Sequence, residues 1–325
     1  MSHMIHQKAR TLERYPSRYP LEDWQVPWTT PLPAYQPVYE DRVVGKSYAD
    51  PIENLPIDPT DKNAIQFHSE NDNGLDRSSS SAKTADFVPS DYDGMYDINP
   101  ETGLPINPAG RTGVFMRGFL GRFGPNHAAD PVVTRWKRDT SGELILDDQD
   151  SPILEGILIQ RKDNGEMAIP GGMVEPGQNV SATLVAEFAE EALGALNEGQ
   201  NKDEKMAAAR DMFKRLDQTL IYKGYVDDPR NTDNAWMETE VTNFHDETGE
   251  VTRDVQLEAG DDAAKVRWFD LYPGEEMTEY LKSKGKKPMF ASHQDFIDKV
   301  YDLHHEEYED VEMSVSTDES DVDDL

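Results

Sequence analysis

Three glutamates, Glu187, Glu190 and Glu191, stand at i, i+3 and i+4, so on a helix their carboxylates share one face. Like charges at these spacings destabilise a helix by about a few tenths of a kcal/mol per pair, and a cation or solvent must compensate them. Carboxylate oxygens are hard ligands that suit Mg²⁺ or Mn²⁺. The metal-free alternative is an exposed amphipathic helix with Leu184, Phe188 and Ala192 on the core and the glutamates in water. The elements before the glutamates favour a site. Ile153 to Ile159 is an apolar run that reads as a strand, and Met167-Ala-Ile-Pro-Gly-Gly172 turns sharply into a loop. Gly171, Gly172 and Gly177 free the backbone to approach a phosphate or metal, and Ser181 reads as the N-cap of the helix.

With 325 residues, 36% of them hydrophobic, the chain is long enough to bury a core in one large or two modest domains. No stretch approaches the roughly 18 apolar residues a membrane-spanning helix needs, so no direct membrane insertion is expected. Cysteine is absent, which excludes disulfides and thiolate zinc sites and fits a reducing compartment. A formal charge of -32 argues against nucleic acid as a partner, because phosphate backbones are repelled over most of such a surface. Glu306 to Leu325 holds ten acidic residues and no basic one. It reads as a disordered, solvated tail, or as a partner-binding or phosphorylatable segment through Ser314, Ser316, Thr317 and Ser320.

Residues 10 to 60 are rich in Pro, Tyr and Trp with little helical period, which reads as extended chain and short strands. Gly74-Leu-Asp-Arg-Ser-Ser-Ser-Ser81 reads as a linker. Beyond it, strands are expected over 132–137, 153–160, 219–226, 235–243 and 264–270, with helices at the glutamates and over 202–216. That order fits helices packed on a mixed sheet.

The glutamate segment resembles the Nudix box: Gly, five residues, Glu, seven residues, then Arg-Glu-(apolar)-X-Glu-Glu-X-Gly-(apolar). Gly172 falls on the first glycine, and Glu187, Phe188, Glu190 and Glu191 fall on the metal-binding core. Three positions depart from it: Gln178 stands for the first glutamate, Ala186 for the arginine and Leu193 for the late glycine, where the helix is expected simply to continue. Asn107-Pro-Ala-Gly-Arg-Thr-Gly113, Gly121-Arg-Phe-Gly-Pro-Asn-His-Ala-Ala-Asp-Pro131, Thr134-Arg-Trp-Lys-Arg-Asp139 and Tyr222-Lys-Gly-Tyr-Val-Asp-Asp-Pro-Arg-Asn-Thr-Asp-Asn-Ala-Trp236 are more specific. They resemble mitochondrial-type ADP-ribose pyrophosphatases of the Nudix superfamily and, equally, the cytosolic C-terminal domain of ADP-ribose-gated melastatin-type cation channels.

The resemblance implies an α/β (α+β) fold, a Nudix αβα sandwich with a mixed sheet preceded by a smaller N-terminal domain. The expected division is 1–112, with the Ser-rich linker near 74–83, then 113–303, then an acidic disordered tail over 304–325. It also implies Mg²⁺-dependent hydrolysis of ADP-ribose to AMP and ribose 5-phosphate, with Glu187, Glu190 and Glu191 catalytic and, with the Gly172 carbonyl, metal-binding; Mn²⁺ is the second choice of ion. Asp228, Arg230, His293 and His127 would contact ADP-ribose. Each has a plainer reading: an ion pair inside a turn for Asp228 and Arg230, a surface or helix-capping histidine for His293, and a turn brace for His127. Asp261 and Asp262 would be N-caps or a further carboxylate near the metal. The alternative function is an ADP-ribose sensor with slow or no turnover. Met1-Ser-His-Met4 resembles a cloning remnant, in which case the rest is a piece of something longer and the remainder of a channel is its partner. Cytoplasm, or the cytosolic face of a membrane for a channel domain, is the expected location, with the mitochondrion as the alternative.

Overall fold

A computed structural model describes residues 5–11, 13–50, 96–174, 180–197, 201–260 and 263–319. The Ser-rich linker, Gly177, Gln178, Asp261 and Asp262 lie outside the described residues. The chain forms two compact units that do not follow chain order: one comprises Met1–Asp130, Gly171–Ala186 and Tyr222–Val241, the other Pro131–Pro170, Glu187–Ile221 and Thr242–Leu325.

In the first unit, β1 (Val38–Asp41) runs parallel to β2 (Val114–Gly118). The unit also holds the start of β3 (Gly124–Trp136), β6 (Gly172–Met173), the end of β7 (Asp217–Val226) and the start of β8 (Ala235–Asp246). β6 is antiparallel to β3 in the register Ala129↔Gly172 and Ala128↔Met173. β3 starts eight residues before the strand expected from Val132, because Gly124-Pro-Asn126 has the composition of a turn. Asn126 restores the order there: its amide donates to the carbonyls of Arg122 and Gly124 and its oxygen accepts the Arg122 N–H. Short 3₁₀ turns at Lys8–Arg10 and Asp23–Gln25 carry the N-terminal segment, which is otherwise extended as its composition predicts.

The polar string from Asp227 to Asn234 is the bracket for that segment. Asp227 accepts the backbone N–H groups of Gln7, Lys8 and Ala9 at 2.7, 2.9 and 2.7 Å. Asp233 accepts from Thr112 N and Oγ1 and from the Tyr35 hydroxyl at 2.6 Å; burial nevertheless pushes its carboxyl up to about 6. Asn234 accepts the Met116 N–H and donates to the Pro105 carbonyl. Buried loop backbone must find such partners or forfeit roughly 1–3 kcal/mol per group.

In the second unit the strand order is β5-β4-β3-β8-β7, with β5 at Met167–Ala168 and β4 at Leu154–Arg161. β9 (Ala263–Asp270) lies antiparallel along β4 from Glu155↔Asp270 to Arg161↔Ala263. α2 (Lys202–Arg215) is capped by Asn201, whose side chain accepts the Glu204 N–H, with acidic residues in its first turn and basic ones in its last. α3 (Gly274–Ser283) and α4 (His293–Glu319) complete the unit. α4 carries helical backbone through Glu319, well into the stretch whose composition predicts disorder. Its start is anchored by buried Phe296, Ile297 and Val300, and Trp136 meets the rings of His304, His305 and Tyr308 at 5.5–6.0 Å.

Candidate functional site

Glu187 closes α1 (Val180–Glu187), and Glu190 and Glu191 follow in the next turn; α1 already includes Ser181, so that residue sits within the helix rather than capping it. Over Phe188–Ala192 the helix widens by one residue per turn: the Leu193 N–H donates to the Phe188 carbonyl, an i→i−5 bond. The helix stops there and does not run on through Leu193. Gly194 takes φ +67°, and the Ala195 N–H returns to the Ala189 carbonyl, as in a glycine-terminated helix end.

Two carbonyls of the last turn are bound by an incoming loop, Ala192 O by Glu258 N at 2.8 Å and Glu191 O by Gly260 N at 3.2 Å. Gly260 has no side chain for a geometric reason: a Cβ would lie 1.7 Å from the Glu190 carbonyl oxygen. Phe188 fixes the turn against the rest of the unit. It is fully buried and touches Phe213 of α2, which stacks on Phe244 of β8 at 4.0 Å. Burying one such ring is worth about 1.5–3 kcal/mol.

Glu191 is buried, Glu187 is half-buried, and the Glu190 carboxylate pairs with Lys202 Nζ at 2.8 Å. Among the described residues, no three carboxylate or imidazole side chains converge on a metal-sized site. The donor set still fits a hard divalent cation. The Glu190–Lys202 pair is solvent-exposed, at 25% and 52% of the side chains, and such pairs are worth at most about 1 kcal/mol, which a dication readily displaces.

Gly172, His127, Asp228 and Arg230 belong to the first unit. Gly171 must be glycine, since a Cβ would meet Asp130 Oδ1 at 2.0 Å and the Ala129 carbonyl at 3.1 Å. Asp130 is buried and accepts a hydrogen bond from the Thr239 hydroxyl. Burial outweighs that bond and pushes its carboxyl up to about 6. A cavity of about 240 Å³ is lined by Tyr48, Phe119, Leu120, Gly121, Arg122, Asn126, His127, Met173, Val174 and Arg230. Tyr48 and Phe119 expose 48% and 41% of their surface, so flat apolar faces are available beside two guanidinium groups.

Asp228 and Arg230 form a two-point ion pair: Arg230 Nε and Nη2 each donate at 2.8 Å, and the Arg230 backbone N–H adds a third bond at 2.7 Å. Burial would raise the Asp228 carboxyl, but the charge and hydrogen bonds of Arg230 outweigh it and hold the group below its ordinary value. Tyr15 braces both cavity walls, donating to the Arg230 carbonyl at 2.7 Å and accepting the Phe119 N–H at 3.2 Å. The turn-pair reading of Asp228 therefore holds, while Arg230 serves the pair and lines the cavity together.

His293, in the second unit, opens α4, and its Nδ1 accepts the Ile169 backbone N–H at 3.0 Å, which puts the ring proton on Nε2 when neutral. Tyr48, Phe119, Arg122 and Asn126 escaped the sequence reading as individual residues; three of them fall in or beside the specific string from Gly121 to Pro131.

Residues 21–124 match the family described as NUDT9-like, N-terminal domain. The protein named mitochondrial ADP-ribose pyrophosphatase of Rattus norvegicus is 44% identical over 304 residues, covering 91% of this chain and 77% of that one. Putative nudix hydrolase 6 of Caenorhabditis elegans is 39% identical over 308 residues, 92% of this chain and 98% of the relative. The chain belongs to the NUDT9-like Nudix hydrolases. A transient receptor potential cation channel subfamily M member-like 2 of Nematostella vectensis is 43% identical over 91% of this chain, which spans only 18% of that protein. Membership accounts for the α+β architecture with helices against a sheet and an N-terminal NUDT9-like segment. Among the described residues no helix is long and apolar enough to cross a membrane.

Proposed function

We propose that this NUDT9-like chain is a metal-dependent hydrolase that cleaves ADP-ribose to AMP and ribose 5-phosphate. The observation that carries the reading is the 44% identity, across 91% of the chain, to a protein named for that activity, with the three box glutamates retained. Glu187, Glu190 and Glu191, with the Gly172 carbonyl, would hold Mg²⁺ or Mn²⁺; the bound ion supplies charge neutralisation of the diphosphate and a more acidic water.

The protein's own groups do the rest. One of the three carboxylates accepts the proton of the attacking water, a contribution of roughly 10²- to 10⁴-fold. Arg230 and Arg122, at the cavity wall, offer charge-assisted bonds to phosphate oxygens, and Tyr48 and Phe119 offer surfaces for a base or ribose. His127 lines the same cavity and contributes to its polar rim. Asp228 acts through Arg230, and His293 contacts the nucleotide through its Nε2 edge.

A second reading, an ADP-ribose sensor with slow or no turnover, is favoured by the 43% identity to a channel-like protein of which the chain spans 18%, and by Gln178 and Ala186 in the box. Such a chain would work at the cytosolic face of a membrane as part of a channel; the enzyme would work in the cytoplasm or the mitochondrion. Incubation with ADP-ribose and Mg²⁺, followed by product analysis, decides between them. Release of AMP and ribose 5-phosphate supports the hydrolase, and intact ADP-ribose retained at saturation supports the sensor.

A further inference from the structure

We propose that the second unit carries a separate anion site, in the cavity between the turn at residues 138–142 and the loop at 248–253, which takes a small phosphate ester. The cavity measures about 420 Å³, within the range of small-ligand sites, and is lined by Arg135, Arg138 and Arg253 together with the hydroxyl residues Thr140, Ser141 and Thr248. The protein has 64 acidic and 32 basic residues, so a cavity lined by three arginines and one aspartate is a locally basic exception.

Two of the three guanidinium groups, those of Arg138 and Arg253, have no carboxylate partner among the described residues. Arg135 is committed: its Nε donates to Glu155 at 3.1 Å and its guanidinium lies 3.9 Å over the Trp268 ring. Arg138 donates only to neutral carbonyls, of Gly142 at 3.0 Å and Glu247 at 3.1 Å, and its buried Nε has no hydrogen-bond partner among the described residues. Arg253 is exposed and makes no ion pair or hydrogen bond among the described residues. Asp139, the carboxylate that lines the cavity, is turned onto its own loop, accepting from Ser141 N and Oγ and from Glu143 N.

Gly249, at φ +72°, packs on Arg138, a Cβ there standing 3.4 Å from Cδ and 3.6 Å from Nε. The exposed end of the guanidinium is the usable one: Nη1 and Nη2 each keep an N–H beyond the bonds to Gly142 and Glu247, and a phosphate oxygen takes these as charge-assisted bonds. Arg253 supplies the second charge, the neighbouring hydroxyls suit a sugar, and the cavity is larger than phosphate alone requires. Neither the box glutamates nor Arg230 lines this cavity, so the site is independent of the proposed hydrolysis.

The test is calorimetric titration of the full chain, in EDTA to silence the metal site, with inorganic phosphate and with glucose 6-phosphate. One saturable site is expected, tighter for the sugar phosphate than for phosphate and undetected for glucose. Arg253→Glu, an exposed change that leaves the fold intact, should weaken binding more than tenfold, and Arg138→Gln about tenfold. ADP-ribose turnover, measured with Mg²⁺, should stay at the wild-type rate in Arg253→Glu. Absence of saturable binding overturns the proposal. So does binding that survives Arg253→Glu and is lost in Arg230→Met, which would place the anion in the other cavity.

Discussion

Arg230→Met separates the two roles that the structure gives this residue. Asp228 is 3% exposed at its side chain and accepts two bonds from the guanidinium, so removing Arg230 strands a buried carboxylate with one backbone donor. Breaking a buried pair from one side costs about 3–5 kcal/mol; the 26% exposure of Arg230 argues for the lower end, about 3 kcal/mol. At roughly 2–4 °C per kcal/mol, the melting temperature should fall by about 6–12 °C at pH 7.5. The loss should shrink in acid. In the wild type the Asp228 carboxyl is held low, so its stabilisation is present above the unfolded pKa and fades only as pH falls through the depressed folded value. In the variant, burial is unopposed and the carboxyl rises, so lowering the pH toward 5 protonates it in the fold and returns stability.

Asp228→Asn combined with Arg230→Met should recover at least half of the lost melting temperature, because a neutral amide can still accept the backbone N–H. It should not recover ADP-ribose affinity, which falls by about 10- to 150-fold in either Arg230 variant when a charge-assisted phosphate bond worth about 1.5–3 kcal/mol is lost. Thermal melts at pH 5 and 7.5, with ADP-ribose binding measured in EDTA, read both quantities. A single variant that melts within about 1 °C of wild type, or a double variant as unstable as the single, refutes the buried-pair account. Unchanged affinity refutes the contact with ligand.

Replacing Glu190 and Glu191 together by Gln should abolish AMP release while circular dichroism stays unchanged; wild-type turnover would remove these residues from the site. Ala186→Arg, alone or with Gln178→Glu, should raise kcat with little change in KM, because misplacement in such sites can cost as much as roughly 10²-fold; unchanged turnover would show that the carboxylates are oriented by other means. Gly260→Ala drives a Cβ into the Glu190 carbonyl and should cost about 1–3 kcal/mol and lower turnover, which a urea titration and a product assay would read together. Asp130→Asn tests the carboxyl pushed up to about 6: the wild-type group favours folding below its unfolded pKa and loses that contribution as pH rises through 6, so the variant should gain about 3 kcal/mol on wild type between pH 4 and pH 7, and a flat difference would show that Asp130 is not shifted.

Apolar patterning located β4, β8, β9 and α2 to within about three residues, because each buries a face; β7 lies within two residues of expectation although its first four residues are exposed. β3 was legible only from Val132, since Gly124-Pro-Asn126 is ordered by Asn126 reaching neighbouring carbonyls, a tertiary accommodation that composition cannot carry. The string from Asp227 to Asn234 marked the family, yet most of its side chains bracket backbone; only Arg230 reaches the cavity wall. Sequence identity of this kind reports a scaffold as readily as a ligand site. The arginine cavity was illegible for the opposite reason: Arg135 and Arg138 stand in a string that the resemblance marks only as family-like, and Arg253, which completes the lining, lies more than a hundred residues further along the chain.

The widened turn at Phe188–Ala192 gives the Leu193 substitution a physical sense. A helix closed by a left-handed residue needs glycine one position beyond its end, where other residues pay about 1 kcal/mol or more for φ above zero. A turn that closes i→i−5 takes up one more residue than an α-turn, so the position requiring glycine moves one step along the chain. The sequence shows that shift: the box expects glycine at 193 and this chain has Leu193-Gly194, with the positive φ on Gly194. Leu193 is then free to be buried and to pair with Glu258 of the incoming loop. Glu190 and Glu191 lie inside the widened turn, where each residue advances less around the axis than in an α-helix, so their angular spacing from Glu187 departs from the i, i+3, i+4 pattern that the sequence alone predicts. The departure at position 193 is thus a consequence of how the carboxylate-bearing turn is built, and it bears on the site in a way that simple continuation of the helix would not.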